Sequence, residues 1–219
     1  MSKPIAMIYN GVWSHYVVAN APKYRDLVEL LYVHDLAPGA LADFAAVVVP
    51  FQSHQGALAT HREEVFSVLA RGGKVFVEGD CSWLEEAWWE DRPLNNYWWI
   101  CNPNAPPVTD TDFSHPVYRG LTPRQSGWHT HGAYTQIPSH ARVIQRGREG
   151  EVVTWETHAY GGTLLVTTLD PLVEHGVQQI RHLDHYVDSL LEWLCGVRPT
   201  GSLEIDWRIP PAPAAPCPA

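Results

Sequence analysis

The sequence predicts an α/β fold in three layers, with a mostly parallel sheet between two layers of helices. Short apolar runs alternate with amphipathic stretches in the first half of the chain, as they do in βαβ units. Residues 45–50 are apolar and rich in valine, which is typical of a strand covered on both faces. At 219 residues, the chain has the length of one large domain with a single core.

The first half supplies four predicted strands and one well-marked helix. The helix is predicted between the third and fourth strands, where Thr60 and Glu63 have the spacing of a capping box and Gly72 and Gly73 mark the end. A second, Trp-rich helix is predicted after Cys81. The predicted strands are residues 5–9, 30–33, 45–50 and 75–78.

A Trp- and Pro-rich insertion follows, between residues 83 and 128. Its proline and asparagine content indicates loops, so we expect a lid or a partner surface there. Beyond it, alternating patterns predict strands at residues 142–146, 152–156 and 163–168.

The domain is predicted to end in a long amphipathic helix that stops at Gly196 and Pro199. Residues 1–200 are expected to form the single domain, and residues 201–219 a proline-rich tail. The positions predicted to be buried follow helical spacing: Leu183, Val187, Leu190, Leu191 and Leu194.

Composition excludes several classes of partner. The formal net charge is −9 and no cationic stripe is present, so neither nucleic acid nor an anionic membrane is expected to bind. No stretch of about 18 apolar residues predicts a membrane span.

Four widely spaced cysteines favour a reducing, cytoplasmic location. Ten tryptophans favour a homo-oligomer, and a small molecule is the expected substrate, with no cofactor predicted.

Three segments resemble a known superfamily. They are AAVVVP…REEVFSVLARGGKVFVEGD, HPVYRGL and AYGGTLLVTTLDP, within residues 4 to 195. The first resembles the class I glutamine amidotransferase-like superfamily, and the other two are similar to its ThuA-like (trehalose-utilisation) branch. The resemblance implies a flavodoxin-like sheet, and ligands of such open sheets bind outside the carboxyl ends of the strands.

The loops at those strand ends carry the candidate site residues. Four side chains are candidates for acid–base chemistry: His129, His131, Asp80 and Glu78. Seven are candidates for contact with the substrate, two of them tryptophans whose rings could stack on a sugar: Trp13, His15, Gln52, His54, Trp128, Asp170 and His175.

Cys81 is a candidate nucleophile, because the resemblance implies a cysteine on a sharp turn between a strand and a helix. Gly79 permits such a turn, and a following helix would lower the thiol pKa. Two departures from the family pattern weigh against this role. Trp83 replaces the second glycine of the usual G-x-C-x-G motif, and residues 169–171 are Leu-Asp-Pro where glutaminases have His-Pro-Glu.

The segment W-H-T-H places His129 and His131 on the same side of an extended chain. Three interpretations remain open: two ligands of one metal ion, with His15, His54 or Asp80 as the third; surface or hydrogen-bonded histidines; and contacts with a substrate. No metal ligand is assigned from the sequence.

Three functions follow from these patterns. The leading hypothesis is a ThuA-like protein without glutaminase activity that binds or acts on a small polar metabolite, with a carbohydrate as the favoured class. The alternatives are a Cys81-dependent amide hydrolase or amidotransferase, and a non-catalytic assembly or binding subunit whose Trp-rich insertion forms the interface. Whether the chain is an enzyme stays open at this point.

Overall fold

The computed structural model describes residues 3–92, 106–127, 129–177 and 181–202. Their centre is one mixed sheet of ten strands. The strands are β1 Ile5–Tyr9, β2 Val28–Tyr32, β3 Ala46–Val49, β4 Lys74–Glu78, β5 Trp88–Asp91, β6 Val108–Thr111, β7 Gly132–Gln136, β8 Arg142–Gly147, β9 Val152–Thr157 and β10 Thr163–Thr167. The helices are α1 Trp13–Asn20, α2 Gln55–Thr60, α3 Arg62–Ala70, α4 Pro123–Ser126, α5 Pro171–Val177 and α6 Asp184–Cys195.

Five strands form what we call the parallel half of the sheet, in the order β2-β1-β3-β4-β10. This is the flavodoxin-like strand order when β10 is counted as the fifth parallel strand. The sequence explains why these strands lie at the centre. All four residues of β3, AVVV, are buried, and each buried valine contributes roughly 1.5–3 kcal/mol. The α/β fold class predicted from the sequence is confirmed.

The other five strands form the antiparallel half. β9 pairs with β10, both β7 and β8 pair with β9, and β5 and β6 extend the two branches. The Trp- and Pro-rich insertion thus supplies two sheet strands, β5 and β6, while residues 93–105 and Trp128 lie outside the described residues. This half buries polar side chains, which hydrogen-bond to one another. Thr154, for example, donates to Gln145 and pairs with Thr167, both at 2.7 Å.

Helices cover both faces of the parallel half and complete the three layers. Alternate residues of β3 enter different cores: Val47 and Val49 pack with α2 and α3, whereas Ala46 and Val48 pack with α1 and α6. The five positions predicted to be buried at the C-terminal helix are all buried. Gly196 ends α6 in a left-handed conformation, as predicted.

Two local predictions are wrong. The expected capping box does not form, because the chain breaks at His61 into two helices and the Thr60 hydroxyl donates to the carbonyl of Ala57. After Cys81 the chain forms one 3₁₀ turn, Ser82–Leu84, followed by β5 and not by a Trp-rich helix. The left-handed conformation of Glu85, at φ 66°, ends the turn and prevents a helix from continuing.

Two further expectations concern the ends of the domain and the membrane. Most of the predicted tail, residues 203–219, lies outside the described residues, so the domain boundary at residue 200 stays a prediction. None of the helices within the described ranges has the length and apolar character that a membrane span requires.

Candidate functional site

Loops follow β1, β3, β4 and β10 at the carboxyl ends of the parallel strands, and we call the region that these loops border the crevice. The loops are connected by specific hydrogen bonds. Asn10, after β1, donates its side-chain amide to the carbonyl of Gln52, after β3, at 3.0 Å. His131, just before β7, donates its backbone N–H to the carbonyl of Thr168, after β10, at 3.2 Å. The antiparallel half therefore brings His131 to the end of the parallel half.

The centre of this crevice is a cluster of His129, His131 and Asp170. One nitrogen of each histidine and one carboxylate oxygen all lie within 4.8 Å of one another. Within it, His131 Nε2 and Asp170 Oδ2 lie 3.0 Å apart. His129 and Asp170 are buried, whereas the side chain of His131 is 27% exposed, so the cluster is reached from the His131 side. Asp170 was predicted to contact a substrate, and both histidines were predicted for acid–base chemistry.

Phe51 and Gly79 fix the orientation of His131. The Phe51 ring stacks on the His131 imidazole with 4.4 Å between centroids. Gly79 has a φ of 78°, and a Cβ at this position would approach the Phe51 ring to 2.4 Å. A glycine is therefore required at the end of β4, both for the backbone conformation and for the position of the ring against His131. Phe51 was not among the predicted site residues.

Glu78 lies beneath the cluster and connects two of its loops. Its carboxylate accepts the backbone N–H of Phe51 at 3.1 Å and that of Leu172 at 3.3 Å. Burial raises the pKa of Glu78 well above its ordinary value, and the charge of Asp170 adds to this, while the two amide hydrogen bonds act in the opposite direction. Glu78 is 2% exposed, and its two hydrogen bonds position the loops after β3 and β10. This structural position disfavours the acid–base role predicted for it.

Four rings lie near the ends of β1 and β2, three of them exposed and one, Tyr9, half-buried. Neighbouring rings contact one another edge to face, with centroids 6.3 Å apart for Tyr9 and Tyr32, 5.3 Å for Tyr32 and His34, and 5.8 Å for His34 and His54. We call these four side chains the ring series. Among the predicted substrate-binding residues, His54 belongs to it and also caps α2, accepting from the backbone of Ala57. Tyr9, Tyr32 and His34 were not predicted.

Two other predicted contacts lie near these strand ends, Gln52 on the loop after β3 and Trp13 at the start of α1. Gln52 is exposed and adopts a left-handed φ of 62°, an uncommon conformation for a residue other than glycine. Trp13 is 54% exposed and stacks on Tyr16 with 5.3 Å between centroids. Both side chains are available to a ligand.

Two predicted substrate contacts are disfavoured, because the side chains are buried on helices that pack against the core. His15 is fully buried in α1, and burial lowers its pKa from 6.5 to about 4, so it stays neutral. His175 is 4% exposed; its Nδ1 lies 2.7 Å from Asp184, and its ring packs against Tyr24. Their position in the sequence, after β1 and after β10, suited a loop, but both residues are on helices and face the core.

Cys81 lacks the geometry of a nucleophile. Its side chain is fully buried, and burial raises the thiol pKa, with a further contribution from the charge of Asp80. The positive φ of the sharp turn falls on Gly79, whereas Cys81 has φ −125°. Asp80 accepts the backbone N–H of Ser82 at 2.9 Å and so stabilises the turn. These observations disfavour a thiolate mechanism and an acid–base role for Asp80.

Comparisons with known proteins identify the fold. No family model matches the sequence, and no curated protein matches it. Among solved structures, a glutamine amidotransferase from Thermotoga maritima superposes with a TM-score of 0.59 at 10% identity, over 90% of this chain and 100% of that one. A GMP synthase component from Thermoplasma acidophilum gives 0.56 at 11% identity, over 88% of this chain and 96% of that one.

A ThuA-like protein from Parabacteroides merdae gives a TM-score of 0.50 at 13% identity, over 90% of this chain and 91% of that one. Identities this low establish a shared fold and not a shared activity. The chain has the class I glutamine amidotransferase-like fold, with a ThuA-like protein among the solved structures that share it.

Proposed function

We propose that the chain binds and acts on a small polar metabolite in the crevice at the carboxyl ends of β1, β3, β4 and β10. The observation that carries the proposal is the His131–Asp170 contact of 3.0 Å, in the place where open parallel sheets bind their ligands. A buried carboxylate beside a partly exposed imidazole favours polar chemistry on a bound molecule.

Within small polar metabolites, we propose a carbohydrate. The ring series supports this class, because aromatic faces and ring nitrogens at one exposed edge suit the alternating apolar faces and hydroxyl groups of a sugar. Trp13, the first residue of α1, adds a further exposed aromatic surface.

Titration calorimetry with a panel of neutral sugars, sugar phosphates and amino acids tests the proposal. We expect one of the sugar classes to bind, and Tyr32→Ala to weaken that binding roughly 2- to 12-fold, the value of one aromatic contact of about 0.5–1.5 kcal/mol. Phe113→Ala is the matched control, because Phe113 is similarly exposed, at 37%, but lies outside the ring series. Binding of amino acids alone, or equal losses in both variants, would contradict a carbohydrate.

We also propose that the chain forms a homo-oligomer through the edge of the antiparallel half. Trp88, on β5, is 66% exposed, and β5 ends the strand order of the described sheet. Light scattering after size exclusion should show a multimer that Trp88→Glu reduces to a monomer. A monomeric wild-type protein at micromolar concentration would exclude it.

The proposed location is the cytoplasm. Cys81 and Cys195 are both free thiols, which is typical of a reducing compartment. Trapping the thiols by alkylation during cell lysis should label Cys195, the less buried of the two, without prior reduction.

A further inference from the structure

We infer that His129, His131 and Asp170 bind a divalent first-row metal ion of the Zn²⁺ type. The inference deepens the function proposed above and rests on the crevice being the working site of the chain. The three ligand atoms lie within 4.8 Å of one another although they come from two segments of the chain, one before β7 and one after β10. Bringing them together requires the sheet order described above and does not follow from proximity in sequence.

The donor set suits such an ion. Two imidazole nitrogens and one carboxylate oxygen form a common protein site for zinc and for ferrous iron, and three protein ligands leave a position for water or a substrate oxygen. Ligand atoms around one tetrahedral Zn²⁺ lie roughly 3.3 Å apart, since each is about 2.0–2.1 Å from the ion. The pair formed by His131 Nε2 and Asp170 Oδ2 already has a similar spacing, at 3.0 Å.

The second carboxylate oxygen of Asp170 is an independent observation. Asp170 is 3% exposed, yet its Oδ1 accepts no hydrogen bond from any residue in the described part of the chain. Buried acceptors are nearly always satisfied, because leaving one unpaired costs about 1–3 kcal/mol. A cation bound at this carboxylate would remove that cost by neutralising the buried charge.

The surroundings hold two of the ligands in place. Phe51 stacks on one face of His131, and the backbone N–H of His131 donates to Thr168, two residues before Asp170. Glu78 binds the amides of Phe51 and Leu172, so the loops that carry the ring and the carboxylate share one anchor. Such supporting contacts are typical of metal sites, where they orient the ligands. The partial exposure of His131 leaves a path for the ion.

The test is Zn²⁺ titration of the full chain, expressed without a histidine tag and stripped with a chelator. We expect about one high-affinity ion per chain. His131→Ala and Asp170→Asn should each weaken binding by roughly 100-fold or more, since even losing a supporting contact costs 10- to 100-fold. His185→Ala is the control, because His185 is exposed on α6 and its loss removes only a surface histidine. Circular dichroism verifies that each variant is folded.

Cobalt provides a second readout. Co²⁺ bound by two nitrogens and an oxygen in tetrahedral geometry should give visible absorption bands that Asp170→Asn abolishes and His185→Ala retains. Equal Zn²⁺ affinity in wild type and both ligand variants, or the absence of a high-affinity ion, would overturn the inference.

A sugar titration of the metal-free and metal-loaded forms separates the two proposals. Sugar binding to a protein that takes up no Zn²⁺ would overturn the metal site and leave the proposed function intact. One tightly bound Zn²⁺ without binding of any sugar or other small metabolite would retain the metal site and overturn the proposed function.

Discussion

The two halves of the sheet differ in the kind of side chain that they bury. The parallel half buries mainly apolar residues: β1 and β3 contain no polar side chain among their buried positions. The antiparallel half buries polar groups that pair with a neighbouring side chain, such as Glu156 on β9, whose Oε2 lies 2.8 Å from Nε2 of His115 in the segment after β6. Specific pairing of this kind fixes geometry, whereas apolar packing mainly supplies stability. The candidate site combines the two at the junction between the halves, with Asp170 following β10 and the histidines preceding β7.

The largest expected effect tests whether the halves form one cooperative unit. Phe76 is fully buried in β4 and Trp155 is buried in β9, so Phe76→Ala and Trp155→Ala should each lower the free energy of unfolding by about 3–5 kcal/mol. Denaturant unfolding followed by both fluorescence and circular dichroism should show a single transition in each variant. Two separate transitions, each sensitive to one substitution, would show that the halves unfold as independent domains and not as one cooperative unit.

Acidification should lower the free energy of unfolding through a residue that packs on the parallel half. His15 is buried against it without a hydrogen-bond partner among the described residues, and its pKa is lowered to about 4. The unfolded chain takes up this proton near pH 6.5 and the folded chain only near pH 4. The stability that neutral His15 contributes is therefore fully present above pH 6.5 and is lost as the pH falls. The loss reaches about 3 kcal/mol at pH 4.

His15→Leu should remove this loss. We expect the unfolding free energy of the variant to rise relative to that of wild type as the pH falls from 6.5 to 4.5, because only wild type takes up the His15 proton on unfolding. Glu78, whose pKa is raised, changes stability in the opposite direction but equally in both proteins. Below that range, Glu156 adds a second loss in both proteins. Burial would raise the pKa of Glu156, but the hydrogen bond and charge of His115 and the charges of His158 and Arg142 outweigh it and lower the pKa. If the unfolding free energies of wild type and variant changed with pH by the same amount, the assignment to His15 would be refuted.

A matched pair of glycine substitutions tests the junction. Gly79 and Gly72 have similar φ values, 78° and 81°, but a Cβ would strike Phe51 only at Gly79. Both alanine variants should lose about 1–2 kcal/mol through backbone strain. Gly79→Ala alone should also weaken Zn²⁺ binding, by roughly 10-fold, because it displaces the ring that orients His131. Unchanged Zn²⁺ affinity in Gly79→Ala would show that Phe51 does not position the ligand.

The smallest expected effect concerns the turn between the halves. Glu85 is exposed and left-handed after the 3₁₀ turn, so Glu85→Gly should raise the unfolding free energy by about 0.5–1 kcal/mol. Thermal unfolding at neutral pH measures it. A decrease in stability would mean that the Glu85 side chain makes a contact worth more than the strain.

The sequence predicted the parallel half well because its signals are local. Strands β1, β3 and β4 lie within one residue of their predicted bounds, since an apolar run between polar loops has few alternatives. The break at His61 was missed, because Arg62, Glu63 and Glu64 favour a helix as strongly as the residues around them do.

The site could be predicted only in part. His131 and Asp170 were both candidates, but their contact spans 39 residues and depends on β7 reaching the end of β10 through β9. The hydrophobic periodicity of one segment carries no information about a contact between two distant segments. The burial of His15 and His175 was missed for a related reason: the order of residues after a strand does not reveal which side of the next helix faces the core.

The single carboxyl group of Glu78 has a consequence for how a ligand would bind. Because it holds the loops after β3 and β10 at once, neither loop can be displaced without breaking a hydrogen bond to a buried acceptor. A molecule entering the crevice would find these walls already ordered and would lose little additional conformational entropy on binding. The binding site at this end of the sheet should therefore be preorganised, and any conformational change on binding should be confined to the side chains of the exposed rings.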